Sequence, residues 1–288
     1  MRVLITGAGG QLGTDLAAFC SAAGDEVYGF DRAGLDVASR SAVHSAVTSL
    51  QPEAVINCAA WTAVDACEGD PDRALALNGT AVRWLAEASH RIGAHLVQVS
   101  TDYVFDGTLD RPYHEWDDTD PQSVYGLTKL IGEQEALVLG ASATVVRTSW
   151  VCGVNGNNMV KTIMRLAEAH PQLSFVDDQI GHPTFTHDLA PVLRRLALDR
   201  LSGVVHATNQ SACSWYQFAG AVVAAMGKDP GMVVPIATAD LHPARPAPRP
   251  ANSVLDNAVL RMAGFAPLRD FREPLGETVA ALLAASAG

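Results

Sequence analysis

In the stretch Ser123-Val-Tyr-Gly-Leu-Thr-Lys129, a tyrosine and a lysine stand four residues apart. On a helix that spacing places Tyr125 and Lys129 on one face. A free tyrosine has a pKa near ~10 and gives up its proton reluctantly at neutral pH. A nearby ammonium favours the phenolate, so the pair predicts a lowered tyrosine pKa. The chemistry this suits is proton donation to a carbonyl oxygen while hydride reaches the carbonyl carbon. The spacing alone is also common on ordinary helix surfaces, so its weight comes from its company. Part of that company is Ser100-Thr-Asp-Tyr-Val-Phe105, which follows the apolar run His95–Val99. Hydroxyls at the carboxyl end of a parallel strand sit where ligands bind. Thr101 is therefore a candidate to hydrogen-bond a reacting carbonyl and fix its orientation beside Tyr125.

The chain also opens with a nucleotide loop. Gly7-Ala-Gly-Gly-Gln-Leu-Gly13 fits G-x-x-G-x-x-G at Gly7, Gly10 and Gly13, with Gln11 and Leu12 entering the helix that follows. Glycine permits the tight turn and lets backbone approach a pyrophosphate, and the helix start supplies free N–H groups. Asp31 ends the second strand, eighteen residues past Gly13. A carboxylate there accepts from an adenine ribose and repels a 2′-phosphate. Adjacent Arg32 offsets that repulsion, so NADH and NADPH both stay open. Asp36-Val37 resembles the pair that flanks adenine in related folds. In Cys58-Ala-Ala-Trp-Thr62 the small Ala59 and Ala60 let a cofactor lie against backbone. Trp61 is a wall of that site or, equally, core, and Thr62 is a further cofactor-binding candidate.

These residues need a scaffold, and the pattern of the chain supplies one. Apolar runs at Val3–Ile5, Glu26–Phe30, Ala54–Asn57, His95–Val99 and Thr144–Arg147 read as strands. Helical spacing falls at 11–23, 39–50, 71–92 and 122–139. Strand alternating with helix predicts an α/β fold, a Rossmann-type doubly wound parallel sheet with helices on both faces. After Trp150 the pattern is less regular, with helices expected at 157–169, His187–Leu198 and Trp215–Met226 and a strand near 173–176. Residues 1–150 are thus expected to form the NAD(P)-binding domain, with part of 185–210 returning to it. Residues 151–288 are expected mainly to form a smaller substrate-binding lobe. His242-Pro-Ala-Arg-Pro-Ala-Pro-Arg-Pro250 holds four prolines in nine residues and must be an extended loop.

Composition narrows the class. With 288 residues, 48% hydrophobic and 18% charged, the chain reads as a soluble globular protein. Its formal net charge of -11 argues against a nucleic-acid surface or a polybasic membrane surface. No apolar run is long enough to span a bilayer, and the start reads as a strand rather than a signal peptide. Cys20, Cys58, Cys67, Cys152 and Cys213 are scattered and odd in number, which suits reduced thiols in a cytoplasm. His182 and His187 flank a Pro-Thr-Phe-Thr turn, but a zinc site would need further ligands and none is evident.

Taken together, Gly10-Gln-Leu-Gly13, Ala59-Ala-Trp-Thr-Ala-Val-Asp65, Ser100-Thr-Asp-Tyr-Val-Phe-Asp-Gly107, Val124-Tyr-Gly-Leu-Thr-Lys129, Arg147-Thr-Ser-Trp150, Gly156-Asn-Asn158, Asp178-Gln-Ile-Gly-His-Pro-Thr184 and Arg249-Pro-Ala-Asn-Ser253 resemble the dTDP-4-dehydrorhamnose reductase family, in the extended branch of the short-chain dehydrogenase/reductase superfamily. The resemblance covers nearly the whole chain in order. It implies NAD(P)H-dependent reduction of dTDP-4-dehydro-6-deoxy-L-mannose to dTDP-L-rhamnose, the last step toward activated rhamnose for cell-envelope polysaccharide. It implies Tyr125 as proton donor, Lys129 as its tuner and nicotinamide-ribose ligand, and Thr101 as the group orienting the keto oxygen. Asp102, Tyr103 and Trp150 are similar to sugar-contacting positions. Asn158 is placed in the pocket, as are Gln179 and Thr184, and Arg249 is placed near the diphosphate. Some members hold Mg2+ by carboxylates at a dimer interface. Here Asp15 is shorter than the glutamate of that pattern, and Gly181–Asp188 lacks another, so Mg2+ is not expected and monomer and homodimer both stay open. The alternatives are another nucleotide-sugar reductase or epimerase of this branch, or a non-catalytic NAD(P)-binding regulatory subunit.

Overall fold

The computed structural model describes residues 1–139 and 143–286. Its centre is a six-stranded parallel sheet. Strands β1 (Arg2–Thr6), β2 (Glu26–Phe30), β3 (Ala54–Asn57), β4 (His95–Thr101) and β5 (Ala143–Thr148) are joined at one edge by Gly203–His206. From that edge the order is Gly203–His206, β5, β4, β3, β1, β2, so the chain reverses direction across the sheet between β3 and β1. Ligands bind such sheets outside the strands' carboxyl ends at the reversal.

Each central strand is apolar on both faces because helices cover both. Leu4, Val55, Leu96 and Val145 point to one side, where Val43, Val47 and Leu85 meet them. Ile5, Ile56, Val97 and Val146 point to the other, against Leu12, Leu16, Leu189 and Leu193. The second group comes from helices Gln11–Ala22 and Thr186–Asp199, so sequence far beyond Trp150 packs on the parallel sheet. Leu260 and Phe265 join the same core.

A second core lies in the smaller lobe. Helices Met159–Ala169, Trp215–Ala225 and Arg272–Ser286 bury Val160, Ile163, Phe218, Val222 and Val279 together, with Phe271 from just before the last helix. The parallel pair Leu173–Val176 and Val233–Ile236 lines its edge. The Trp215 helix starts with a capping box, Ser214 bonding the backbone of Gln217 and Gln217 returning the bond. No helix among the described residues is long and apolar enough to cross a membrane.

One expected helix is interrupted. Residues 71–92 form Pro71–Leu75, a π turn at Ala76–Thr80, and Ala81–Ile92. The wide turn lies where the chain meets the Val124–Leu137 helix. A Cβ on Gly132 there would stand 2.2 Å from the Asn78 carbonyl oxygen. Backbone approach this close, and the extra residue that turns Asn78 toward the Trp61 loop, leave no mark in hydrophobic spacing. The helices Val64–Gly69 and Arg272–Ser286 were likewise not foreseen.

Candidate active site

The glycine loop is built for backbone contact. Gly7 has φ +69, and the Gly10 N–H donates to the Gly7 carbonyl at 2.9 Å to close the turn. A Cβ on Gly13 would lie 2.2 Å from that same carbonyl oxygen, and one on Gly7 would lie 2.7 Å from the Ala59 nitrogen. The helix Gln11–Ala22 begins at Gly10 with no side chain capping it, so its first N–H groups stay available. Bare backbone, an uncapped helix start and the turn at a sheet reversal fit a dinucleotide's pyrophosphate. Gln11 ties the loop to the other lobe, donating to the Val151 carbonyl at 3.0 Å and accepting from Asn158 at 3.3 Å. The Leu12 side chain goes into the core, which leaves its backbone to face the loop.

Asp31 stands at the end of β2 beside the loop, its Cβ 3.2 Å from where a Gly9 side chain would begin. Its Oδ1 accepts from the Ala33 and Gly34 N–H groups at 3.0 and 2.9 Å, which fixes the carboxylate. Arg32 is exposed next to it. Asp36 closes a turn by accepting from the Ala38 N–H at 3.0 Å, and Val37 is buried. A carboxylate held at this point predicts that Asp31→Ala weakens NADH more than NADPH. Fluorescence titration with both cofactors checks this, and an equal loss for both would take Asp31 away from the ribose.

Ala59 and Ala60 lie between Asn57, whose side chain accepts from the Ala59 N–H at 3.1 Å, and Trp61. Asn78 holds Trp61 by its backbone, accepting from its N–H at 2.8 Å and donating to its carbonyl at 3.2 Å. The Asn78 amide also reaches Thr128 at 3.3 Å, between Tyr125 and Lys129 in the chain. The Arg73 guanidinium covers the Trp61 ring at 4.4 Å. Thr62 continues the loop into the Val64–Gly69 helix.

Ser123 starts the helix Val124–Leu137, accepting from the Gly126 N–H at 3.1 Å. One turn apart on its inner face, Tyr125 is 8% and Lys129 3% exposed. The Lys129 Nζ donates to the Val99 carbonyl at 2.6 Å, so the amine is anchored to β4. The expected lowering of the tyrosine pKa is corrected here. Burial pushes the Tyr125 phenol up from its ordinary value, and a hydrogen bond with Thr101 only partly opposes this. The reason is that both groups are buried and the ammonium is turned to Val99. The phenol is thereby held protonated, the state a proton donor needs. Burial draws Lys129 down to about 8.

Thr101 Oγ accepts from the Tyr103 N–H at 3.2 Å and donates to Asp102 Oδ1 at 3.0 Å. The Tyr103 ring meets Tyr125 edge-on at 5.6 Å. Asp102 is buried with Oδ2 unpartnered among protein atoms. Burial raises its carboxyl to about 6, with the neighbouring Ser253 and Thr101 hydroxyls partly opposing the rise. A raised acid favours the protonated fold below pH ~4, and that advantage is lost as pH rises through about 6. Asp102→Asn should remove this fall, which is of order 2–3 kcal/mol. Denaturant unfolding at pH 4.5 and pH 7 compares the two proteins, and an undiminished fall in the variant would assign it elsewhere.

From the second lobe, Trp150 holds a left-handed backbone at φ +44, rare for a bulky residue. Its ring stacks on Trp215 with centroids 3.6 Å apart, and a Cβ on Gly181 would come within 2.7 Å of its edge. Asn158 caps the helix Met159–Ala169 and donates to the Gly153 carbonyl at 2.7 Å, so its amide is engaged within the lobe and with Gln11. Gln179 donates to the Thr238 hydroxyl at 2.9 Å, and Thr184 is buried in a short strand. Arg249 grips Asp65 with two bonds of 2.6 and 2.7 Å, and the Ala247 N–H reaches the same carboxylate at 3.2 Å. That pairing ties the proline-rich loop to the Val64–Gly69 helix. Asp15 accepts from Asn155 and Thr186, and Asp188 from Asn209 and Arg269, so both carboxylates have protein partners. His182 is buried against Thr208, and His187 meets Glu277 at 3.2 Å.

Asn78, Asp65, Gly181 and Trp215 shape the site without having been singled out. Asp65 lies within a quoted motif, but its partner is 184 residues away. No spacing in the sequence pairs Trp215 with Trp150.

The geometry agrees with the chain's relatives. Residues 1–284 match the family model described as RmlD substrate binding domain. A dTDP-4-dehydrorhamnose reductase of Streptomyces griseus is 44% identical over 98% of this chain and 94% of its own length. A probable dTDP-4,6-dihydroxy-2-methyloxan-3-one 4-ketoreductase of Streptomyces antibioticus is 43% identical over 99% of this chain and 97% of its own. The crystal structure of dTDP-4-dehydrorhamnose reductase from Bacillus anthracis in complex with NADP superposes with a TM-score of 0.93 at 37% identity, covering 97% of this chain and 99% of that one.

Proposed function

The chain belongs to the RmlD family of dTDP-4-dehydrorhamnose reductases, within the extended short-chain dehydrogenase/reductase superfamily, and from that premise we propose that it reduces the 4-keto group of dTDP-4-dehydro-6-deoxy-L-mannose to yield dTDP-L-rhamnose, using NADPH or NADH. The observation that carries this reading is the buried, protonated Tyr125 beside Thr101 at the carboxyl end of β4. When bound, the reduced nicotinamide supplies the hydrogen and electron pair to the carbonyl carbon. The chain's own residues do the rest. Tyr125 donates its proton to the keto oxygen as charge develops there, and the Thr101 hydroxyl orients that oxygen. Lys129, anchored on Val99 one helical turn from Tyr125, is the residue that would hold the nicotinamide ribose. Tyr103 and the stacked Trp150 supply apolar faces that suit a deoxysugar and exclude water. Arg249 holds the loop that covers the diphosphate end. The reaction serves the cytoplasmic supply of dTDP-rhamnose for envelope polysaccharide.

Each of NADPH and NADH is to be incubated with the 4-keto sugar made in place from dTDP-glucose by a dehydratase and an epimerase. Cofactor oxidation with dTDP-L-rhamnose identified by NMR is the expected result. Oxidation only with a differently substituted dTDP-4-keto sugar would move the substrate to that compound, and binding of cofactor without any turnover would contradict the reductase reading.

A further inference from the structure

Tyr125, Lys129 and Glu133 follow one another at four-residue steps, so the helix turns all three toward the sheet. Glu133 is 3% exposed, and no part of the reaction as described uses it. Its carboxylate is held from two strands. Oε1 accepts from the Ser100 hydroxyl at 2.6 Å and from Arg147 Nε at 3.0 Å, while Oε2 accepts from Arg147 Nη2 at 2.7 Å. Arg147 lies on β5 with its guanidinium 5.0 Å from the Phe105 ring. The terminal residues of β4 are thus gripped twice, by Lys129 at Val99 and by Glu133 at Ser100, immediately before Thr101.

A buried ion pair is a poor source of net stability, since apolar residues of similar volume often serve as well. The charge has a clearer use one turn away. Facing the Lys129 ammonium are Glu133 on its own helix and the Cys58 thiol from beyond β3, which burial pushes up to about 12 and so leaves neutral. Arg147 reaches this group only through Glu133, and Asp102 and Tyr103 lie on the Tyr125 side.

We propose that Glu133, locked by Arg147 and Ser100, is a positioning residue for the reduction: it sets a carboxylate one helical turn from the Lys129 amine and fixes Val99–Thr101 against Tyr125. Its bearing on catalysis rests on the reductase reading, whereas its electrostatic role can be read in the cofactor-free protein. Burial draws Lys129 down to about 8 while Glu133 pushes it upward, so loss of the carboxylate would release an amine that is neutral through much of the working range.

The chain holds three lysines, Lys129, Lys161 and Lys228, so the ε-carbon of Lys129 can be followed by NMR in lysine-labelled protein. In Glu133→Gln its midpoint should fall by about one pH unit or more, and the alkaline limb of kcat/KM should move down with it. Glu133→Asp, which keeps the charge, should stay near the wild-type midpoint. Because Glu133→Gln strands a buried guanidinium, Glu133→Gln/Arg147→Met removes both partners and gives a second folded test, with the same direction of shift. A Lys129 midpoint that stays at about 8 in either folded variant overturns the proposal and leaves the reductase reading intact. A shifted midpoint in a protein that reduces no dTDP-4-keto sugar keeps the electrostatic role and sinks the catalytic one.

Discussion

Tyr125→Phe should lower kcat by roughly two to four decades, the usual range for removal of a general acid, with cofactor affinity nearly unchanged. The substitution deletes one oxygen and keeps the ring that packs against Cys67 and Ala74, so the fold has no reason to shift. What disappears is the one phenol aligned with Thr101 and held protonated by burial. Without it, negative charge on the keto oxygen must be met by the Thr101 hydroxyl and by Lys129, which Val99 holds back. Single-turnover kinetics separates this loss from product release. A rate within tenfold of wild type would remove the tyrosine from proton transfer.

The second large effect is expected far from the reacting carbon. Gly13→Ala puts a methyl 2.2 Å from the Gly7 carbonyl oxygen and 2.8 Å from the Ala8 Cα. Both obstacles are backbone, so no side-chain rotation relieves them. The turn must open, and Gly7 cannot retreat because a Cβ-sized space toward Ala59 does not exist. Overpacking of this kind costs about 1–3 kcal/mol. Here it falls on the segment that must lie against a pyrophosphate, so nucleotide affinity should drop by up to about two decades. Calorimetric titration with NADPH and NADH measures it. Full affinity in a folded Gly13→Ala protein would mean that the loop does not cradle the dinucleotide.

Much of this was legible in the sequence, for physical reasons. The central strands of a doubly wound sheet are apolar on both faces, so Ala54–Asn57 stands out at its true limits. The glycine loop and the tyrosine–lysine pair were legible because their geometry is local: a turn, or one helical step. The interruption at Ala76–Thr80 was not, because it answers to the missing side chain of Gly132 more than fifty residues on. The Trp150–Trp215 stack within the smaller lobe and the Arg249–Asp65 clamp join residues far apart in the chain, and spacing along a chain carries no record of them. The direction of the Tyr125 shift was misjudged from the lysine alone. Burial outweighs the charge, and burial depends on the whole assembly.

The most direct test of the central claim follows one atom. Reaction of the 4-keto sugar with nicotinamide cofactor carrying deuterium at its reactive carbon should place deuterium at C4 of the product dTDP-L-rhamnose, and Tyr125→Phe should slow that transfer without redirecting it. Product free of deuterium, deuterium at another sugar carbon, or transfer that proceeds undiminished in Tyr125→Phe would each contradict reduction at C4 with Tyr125 as the acid.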